Sequence, residues 1–198
     1  MKVKTVHIGL VGDSKTGKTC LARLFVSNGS CMSRDYHLTS GVEIFTKIVS
    51  EVNADEGPYL LKHTEARRAT EFELMNQVTH LKVKLFDFGG SQIYREHIVL
   101  PVLTNIENFI MVFDVSSRKS FKGLKQWKNI IEKHSKGYKK LIVIGNKNDF
   151  QIREVMQDEA RQMAKRIGAE YFETSLKQYE SVEASFNQSI LFIRQDSS

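Results

Sequence analysis

Short apolar runs alternate along the chain with longer stripes of helical period. The first run, Val6-His7-Ile8-Gly9-Leu10-Val11, reads as a buried strand, and Cys20, Leu21, Leu24 and Phe25 follow it at helical spacing. Val42, Ile44, Thr46, Ile48 and Val52 then alternate with period two, which predicts a strand with that set on its buried face. Leu81 to Phe86 has the same alternation, and two such successive strands are expected to pair antiparallel. Phe109 to Val115 is nearly continuous, as suits a parallel strand buried on both faces. A helical stripe of Phe121, Leu124, Trp127, Ile130 and Ile131 leads to a strand at Leu141 to Ile144. Val155, Met156, Ala160, Met163, Ala164 and Ile167 predict the next helix, Tyr171-Phe172 a short last strand, and Val182, Phe186, Ile190 and Ile193 the final helix. Such alternation predicts an α/β fold: a doubly wound, mostly parallel six-stranded sheet with flanking helices, one antiparallel edge pair, and ligand loops at the strand C-termini.

One stretch interrupts the rhythm. Hairpin loops usually have two to five residues, yet residues 53–78 separate the two alternating strands. The segment opens with the turn cluster Asn53-Ala54-Asp55-Glu56-Gly57-Pro58 and then becomes charged. Ala66, Ala69, Phe72 and Met75 fall at helical spacing, consistent with a short amphipathic helix, but a flexible surface insertion is the simpler reading. Residues 1–198 are therefore expected to form a single domain carrying an insertion at about 53–78.

Composition narrows the function classes. With 41% hydrophobic and 26% charged residues, the chain matches ordinary soluble globular proteins. The net charge of +6 permits an acidic partner, but Lys119, Lys122, Lys125 and Lys128 look like a solvated helix face. No long block of like charge and no basic-aromatic RNA motif is present, so no nucleic-acid partner is expected. Cys20 and Cys31 make no disulfide framework, which implies a reducing, cytoplasmic setting, and Cys20 is expected to be buried by the first helix. The N-terminus MKVKT has no signal-peptide core, and Lys2 stands where myristoylation needs glycine. No apolar run suffices for a transmembrane segment, and the last five residues lack the cysteine of a prenyl lipid anchor. The six histidines show no metal-ligand spacing.

The chemistry lies between the first strand and the first helix. Gly12 to Thr19, GDSKTGKT, matches the phosphate-loop pattern G-x-x-x-x-G-K-[ST] at every fixed position. Gly12 and Gly17 let the backbone curl, so that the N–H groups of Asp13, Ser14, Lys15, Thr16 and Gly17, continuing through Lys18, Thr19 and Cys20, form an anion-binding nest. Lys18 is expected to reach the β- and γ-phosphates, the Thr19 hydroxyl to ligate Mg²⁺, and the helix N-terminus to favour phosphate. Downstream, Asp87-Phe88-Gly89-Gly90 ends a strand. A carboxylate there can hold a Mg²⁺-bound water, and the Gly90 N–H can sense a γ-phosphate.

Asn146-Lys147-Asn148-Asp149 after one buried strand, and Ser175-Leu176-Lys177 after the next, resemble the guanine-reading elements of Ras-superfamily small GTPases. With the phosphate loop, Thr39 and DxxG in the same order, the resemblance covers nearly the whole chain. It implies GTP/GDP and Mg²⁺ as cofactors. Asp149 would accept from the ring N–H and exocyclic amine of guanine, while the Lys147 stem covers the base. Asn146 and the Ser175-Leu176-Lys177 loop would complete base selection. Thr39 would join Thr19 and Asp87 in the metal set, and Lys18, Thr39, Gly90 and Ser91 would form the hydrolytic constellation.

Within the superfamily, Val112-Phe113-Asp114-Val115-Ser116 with Ser120-Phe121 looks Rab-like. Asp35 to Glu43, Gly90 to Glu96 and Phe172 to Ser175 resemble the Rab-like branch that serves intraflagellar transport. That resemblance implies work in the cilium or flagellum, through a heterodimer with a jelly-roll subunit of the transport complex. A nucleotide-loaded assembly protein that does not cycle, and a Rab of vesicle traffic, are the alternatives. The chain also departs from the family. Ser91 stands where most members have the water-positioning glutamine, which implies weak hydrolysis, and Gln92 is one residue out of register. Lys15 replaces a residue that is commonly small, and Met32 is the nearest candidate to cover the base where an aromatic often stacks.

Overall fold

The computed structural model describes residues 4–30, 38–54, 57–60, 78–91, 100–138 and 140–194. Its elements run β1 (Lys4–Val11), α1 (Lys18–Val26), β2 (Val42–Ala54), β3 (Gly57–Leu60), β4 (Val78–Phe88), α2 (Leu100–Leu103), β5 (Asn108–Asp114), α3 (Arg118–His134), β6 (Lys140–Asn146), α4 (Gln157–Arg166), β7 (Glu170–Thr174) and α5 (Tyr179–Arg194). The strands make one sheet in the order β3-β2-β4-β1-β5-β6-β7. β1 pairs in parallel with β4 and β5, and β6 with β5 and β7, while β2 runs antiparallel to β4. The six predicted strands and the doubly wound arrangement are thus present.

A seventh strand is an addition. β3, from the start of the inserted stretch, pairs antiparallel with the end of β2, Ala54 opposite Gly57 and Glu51 opposite Leu60. Asn53-Ala54 and Gly57-Pro58 of the predicted turn cluster are thus paired strand residues at the sheet edge. The helical spacing at Ala66–Met75, together with Met32 and Gln92, lies outside the described residues.

Apolar side chains cover both faces of the sheet. On one, Ile8, Leu10, Leu81, Val83 and Leu85 pack under Leu21 and Phe25 of α1 and Phe186 and Ile190 of α5. Phe25 and Phe186 stack with ring centroids 4.6 Å apart. On the other, Phe88, Phe109, Met111 and Phe113 pack under Leu124, Trp127 and Ile131 of α3 and Ala160 and Ala164 of α4. The predicted stripe of α4 is shortened at its start, because Met156 caps the helix and is exposed.

From Ile44 to Val49, β2 reverses the predicted face, although Val42 still packs against the core. Ile44 and Ile48 are 57% and 64% exposed, whereas Val49 is buried and Phe45 packs against the core. Register is the reason: Phe45 lies opposite Leu85, Lys47 opposite Val83 and Val49 opposite Leu81, so these share the inward face of β4. The alternation was there, but a lysine occupies a core-facing position. Lys47 spends its stem on the ring of Phe25, with Nζ 3.9 Å from the centroid, and donates to the Phe25 carbonyl at 2.7 Å. That carbonyl lies in the last turn of α1, where a cation is favoured. An amphipathic chain thus fills a site that period-two reading reserves for aliphatic residues.

Burial pushes the Lys47 ammonium down to about 8, against the opposite pull of Glu183 on α5. Between that value and the ordinary lysine range, the folded state binds fewer protons than the unfolded state, so stability rises with pH through this window. Wild-type protein is expected to gain stability relative to Lys47→Met between pH 7 and about 9.5; paired urea titrations check it, and a constant difference counts against the buried charge.

Candidate functional site

β1 lies in the middle of the sheet, and the chain leaving its C-terminus must turn sharply into α1. Gly12 (φ 145°) sits so close to β5 that a Cβ would fall 2.1 Å from the Val112 carbonyl oxygen. Gly17 (φ 94°) caps α1, and no side chain caps the helix N-terminus. Its orphan N–H groups therefore open toward the loop, the arrangement that attracts an anion. Thr16 turns inward, with its hydroxyl donating to the Asp13 carbonyl at 3.0 Å. The Lys18 ammonium donates to the carbonyls of Gly12 and Asp13 at 2.9 and 3.0 Å, which folds its buried side chain over the loop.

Three neighbours fix this loop from outside. The Trp127 indole of α3 donates to Asp13 Oδ1 at 3.0 Å. Asn146, fully buried at the end of β6, donates to the Thr16 carbonyl at 2.8 Å and accepts from the Thr174 hydroxyl at 3.0 Å. Gly90 packs on the loop backbone, where a Cβ would stand 2.4 Å from the Ser14 nitrogen.

Beside the loop, oxygen ligands converge. Thr19 Oγ1 donates to Asp87 Oδ2 at 2.5 Å and lies 2.9 Å from Thr39 Oγ1, which is itself 3.5 Å from Asp87 Oδ2. Asp87 is fully buried, and its Oδ1 has no hydrogen-bond partner among the described residues. Burial pushes this carboxyl up, opposed by the Thr19 hydrogen bond and the Lys18 charge. A buried carboxylate with an orphaned oxygen and two adjacent hydroxyls suits a small hard cation that keeps several waters, as Mg²⁺ does. Among the described residues no cluster of three His, Cys, Asp or Glu offers a softer metal site.

On the far side, Lys147 Nζ pairs with Asp114 Oδ2 at 2.6 Å, and Asp114 Oδ1 accepts from the Ser116 N–H and hydroxyl. Burial works to raise the Asp114 carboxyl, but the Lys147 and Ser116 hydrogen bonds outweigh it and hold the group below its usual range. Asp149 Oδ1 accepts from the Ser175 hydroxyl at 2.7 Å, and Oδ2 pairs with Lys177 Nζ at 2.9 Å. These two bonds hold its carboxyl down, keeping a charged acceptor with spare lone pairs beside the cleft. The cleft between the two halves has a volume of about 730 Å³ and is lined by Ser14, Lys15, Gly17, Lys18, Thr19, Cys20, Thr39, Gly90, Lys147 and Leu176 among others. Loop amides, an uncapped helix and a hard-cation corner thus surround one cleft, while Asp149 lines a separate hollow with Ser116, Phe150 and Lys177; the set fits a nucleotide with its metal.

Against this geometry, the Ras family profile matches residues 7–195, nearly the whole chain. The chain belongs to the Ras family. It is 29% identical to the human intraflagellar transport protein 27 homolog, over 90% of this chain and 84% of that protein. It is 26% identical to the Ras-related protein SEC4 of Saccharomyces cerevisiae, over 91% and 71% respectively. It is 28% identical to the Ras-related protein Rab-13 of Mesocricetus auratus, over 90% and 74%. As a Ras-family GTPase it uses GTP or GDP with Mg²⁺ and hydrolyses GTP. No described helix is long and apolar enough to cross a membrane.

Within this Ras-family site, the structure adds contacts that spacing did not show. Asn146 also braces the loop from beneath, donating to the Thr16 carbonyl and accepting from the Thr174 hydroxyl. The Ser175 hydroxyl donates to Asp149 and accepts from the Lys177 N–H. Cys20 is half-buried and lines the cleft, because it points off the apolar stripe of α1; burial pushes its thiol up. Ser91 is partly exposed next to Gly90. Sequence reading missed Asp114, Trp127 and Thr174 as parts of the site. Asp114 carried one signal, a carboxylate closing an apolar run, whereas Trp127 and Thr174 look like ordinary core.

Asn146→Ala removes two buried hydrogen bonds and leaves the Thr16 carbonyl without its donor. We expect a loss of about 1–3 kcal/mol of stability, read from urea unfolding; a variant as stable as wild type would show that the amide bridge is dispensable.

Proposed function

We propose that this GTPase is a Rab-like guanine-nucleotide-binding subunit of intraflagellar transport, moving ciliary or flagellar cargo through a heterodimer with a jelly-roll subunit. The observation that carries the reading is the similarity to intraflagellar transport protein 27 homologs of human, cow and mouse, spanning 90% of this chain in each case. Residues 1–198 act here as one domain, into which about 53–78 are inserted.

In this reading, Lys18 and the amides from Asp13 to Cys20 receive the phosphates. Thr19 and Thr39 hold Mg²⁺ directly, with Asp87 acting through water. Bound Mg²⁺ supplies neutralisation of charge on the phosphate oxygens. The Gly90 N–H meets the γ-phosphate, so the loop from Leu38 to Gly41 and the Asp87–Ser91 segment respond together; they are already joined by the Gly89 N–H to the Gly41 carbonyl at 2.8 Å. Asp149 accepts from two guanine N–H groups, the Lys147 stem covers the base, and backbone at Ser175-Leu176-Lys177 meets the guanine oxygen. Adenine cannot offer both donors, which gives the base choice its chemistry.

Hydrolysis needs an oriented water, and Ser91 is too short to hold one as glutamine does. Where a glutamine is present, as in Ras, unaided turnover is still only about 3–5 × 10⁻⁴ s⁻¹. This protein is therefore expected to hydrolyse GTP at or below that order, and Ser91→Gln to raise single-turnover hydrolysis while leaving nucleotide affinity alone. Unaided hydrolysis at ~10⁻² s⁻¹ by wild-type protein would mean that another group positions the water, with Gln92 first to be mutated.

A Rab of vesicle traffic is the competing reading, favoured by the similarity to SEC4 and Rab-13. Recovery of the protein from cells at native abundance separates the two. A stoichiometric jelly-roll partner with other ciliary transport subunits is expected, whereas vesicle-tethering proteins without any ciliary subunit would overturn the assignment.

A further inference from the structure

Four basic side chains line the cleft: Lys15, Lys18, Arg23 and Lys147. Three of them already have acceptors. Lys18 is held by two loop carbonyls, Arg23 by Glu43, and Lys147 by Asp114. Lys15 is different. Its side chain is exposed and has no hydrogen bond or ion pair among the described residues. Its backbone is also left-handed, with φ 67°. Such a conformation is strained for any residue with a Cβ and natural for glycine. A lysine here therefore keeps a charged side chain at the mouth of the loop despite a backbone that glycine would suit better.

Strain of this kind persists where function compensates it. The only feature that separates Lys15 from a glycine is a flexible stem ending in a point charge. That stem starts between Ser14 and the inward-turned Thr16, on a loop whose other cation already leans on backbone oxygen. We infer that Lys15 is a second phosphate cation, pairing with the polyphosphate of bound guanine nucleotide from the solvent side and slowing its release. The inference rests on the reading of this cleft as the nucleotide site. Because the ammonium approaches from water, the pairing is screened by salt, unlike the buried contact of Lys18. A solvated charge pair strengthened by the multiple charge of phosphate corresponds to a roughly three- to tenfold effect on release.

The test uses full-length protein loaded with N-methylanthraniloyl-GDP and Mg²⁺, chased with excess unlabelled GDP. Lys15→Gln keeps the strained backbone and removes the charge, and Lys15→Arg keeps both. Lys15→Gln is expected to release the label roughly three- to tenfold faster than wild type in dilute buffer. The gap should narrow at about 0.5 M NaCl, and Lys15→Arg should stay near wild type. Equal release from Lys15→Gln and wild type at low salt overturns the role of Lys15 while leaving the nucleotide site standing. Equal acceleration in Lys15→Gln and Lys15→Arg overturns it too, since charge would then be irrelevant. Failure of wild-type protein to retain the label at all brings down the site reading and this inference together.

Discussion

Everything at the C-terminal edge of this sheet hangs on one buried amide. Asn146 ties the turn that precedes α1 to the end of β7, through the Thr16 carbonyl and the Thr174 hydroxyl. The contact is so close that Gly17 cannot carry a side chain: a Cβ would lie 2.3 Å from Asn146 Nδ2. A fully enclosed amide that loses a partner is costly, so the phosphate loop and the base-side loops cannot drift apart independently. Asp114 extends the same constraint by holding Lys147, and Ser175 extends it by holding Asp149. The site is thus rigid on the base side and bridged to the phosphate side from beneath.

The opposite flank is built on weaker terms. Thr39 meets Thr19 and Asp87 through hydroxyl contacts at the mouth of the cleft, and Leu38 beside it is 48% exposed. Among the described residues, the Gly89 N–H ties this segment to the end of β4 through the Gly41 carbonyl. Asymmetry of this sort, a braced base platform facing a loop joined to the site through hydroxyls, suits a ligand-responsive site.

Legibility in the sequence followed the range of the interactions. The phosphate loop, the buried strands and the stripe of α5 depend on neighbours in the chain, so spacing alone revealed them. β2 was misread because its face is set by pairing with β4, and because Lys47 spends a hydrophobic stem in the core while its ammonium finds a helix carbonyl. Asn146 was recognised through its motif, but its bonds to Thr16 and Thr174 had no signal in spacing, since they come from distant parts of the chain. Asp114 and Trp127 were visible as residues yet silent as chemistry. β3 was hidden in a turn cluster whose continuation as a strand needs the exposed edge of β2.

Trp127 is the chain's single tryptophan, and its indole N–H ends on Asp13 of the phosphate loop. Indole emission responds to the polarity and hydrogen bonding around the ring. With no second tryptophan to blur the signal, the protein carries its own optical gauge of the loop, wired through one hydrogen bond. Spectroscopy on unlabelled material can therefore follow the loop's state in real time, without a dye altering what it reports.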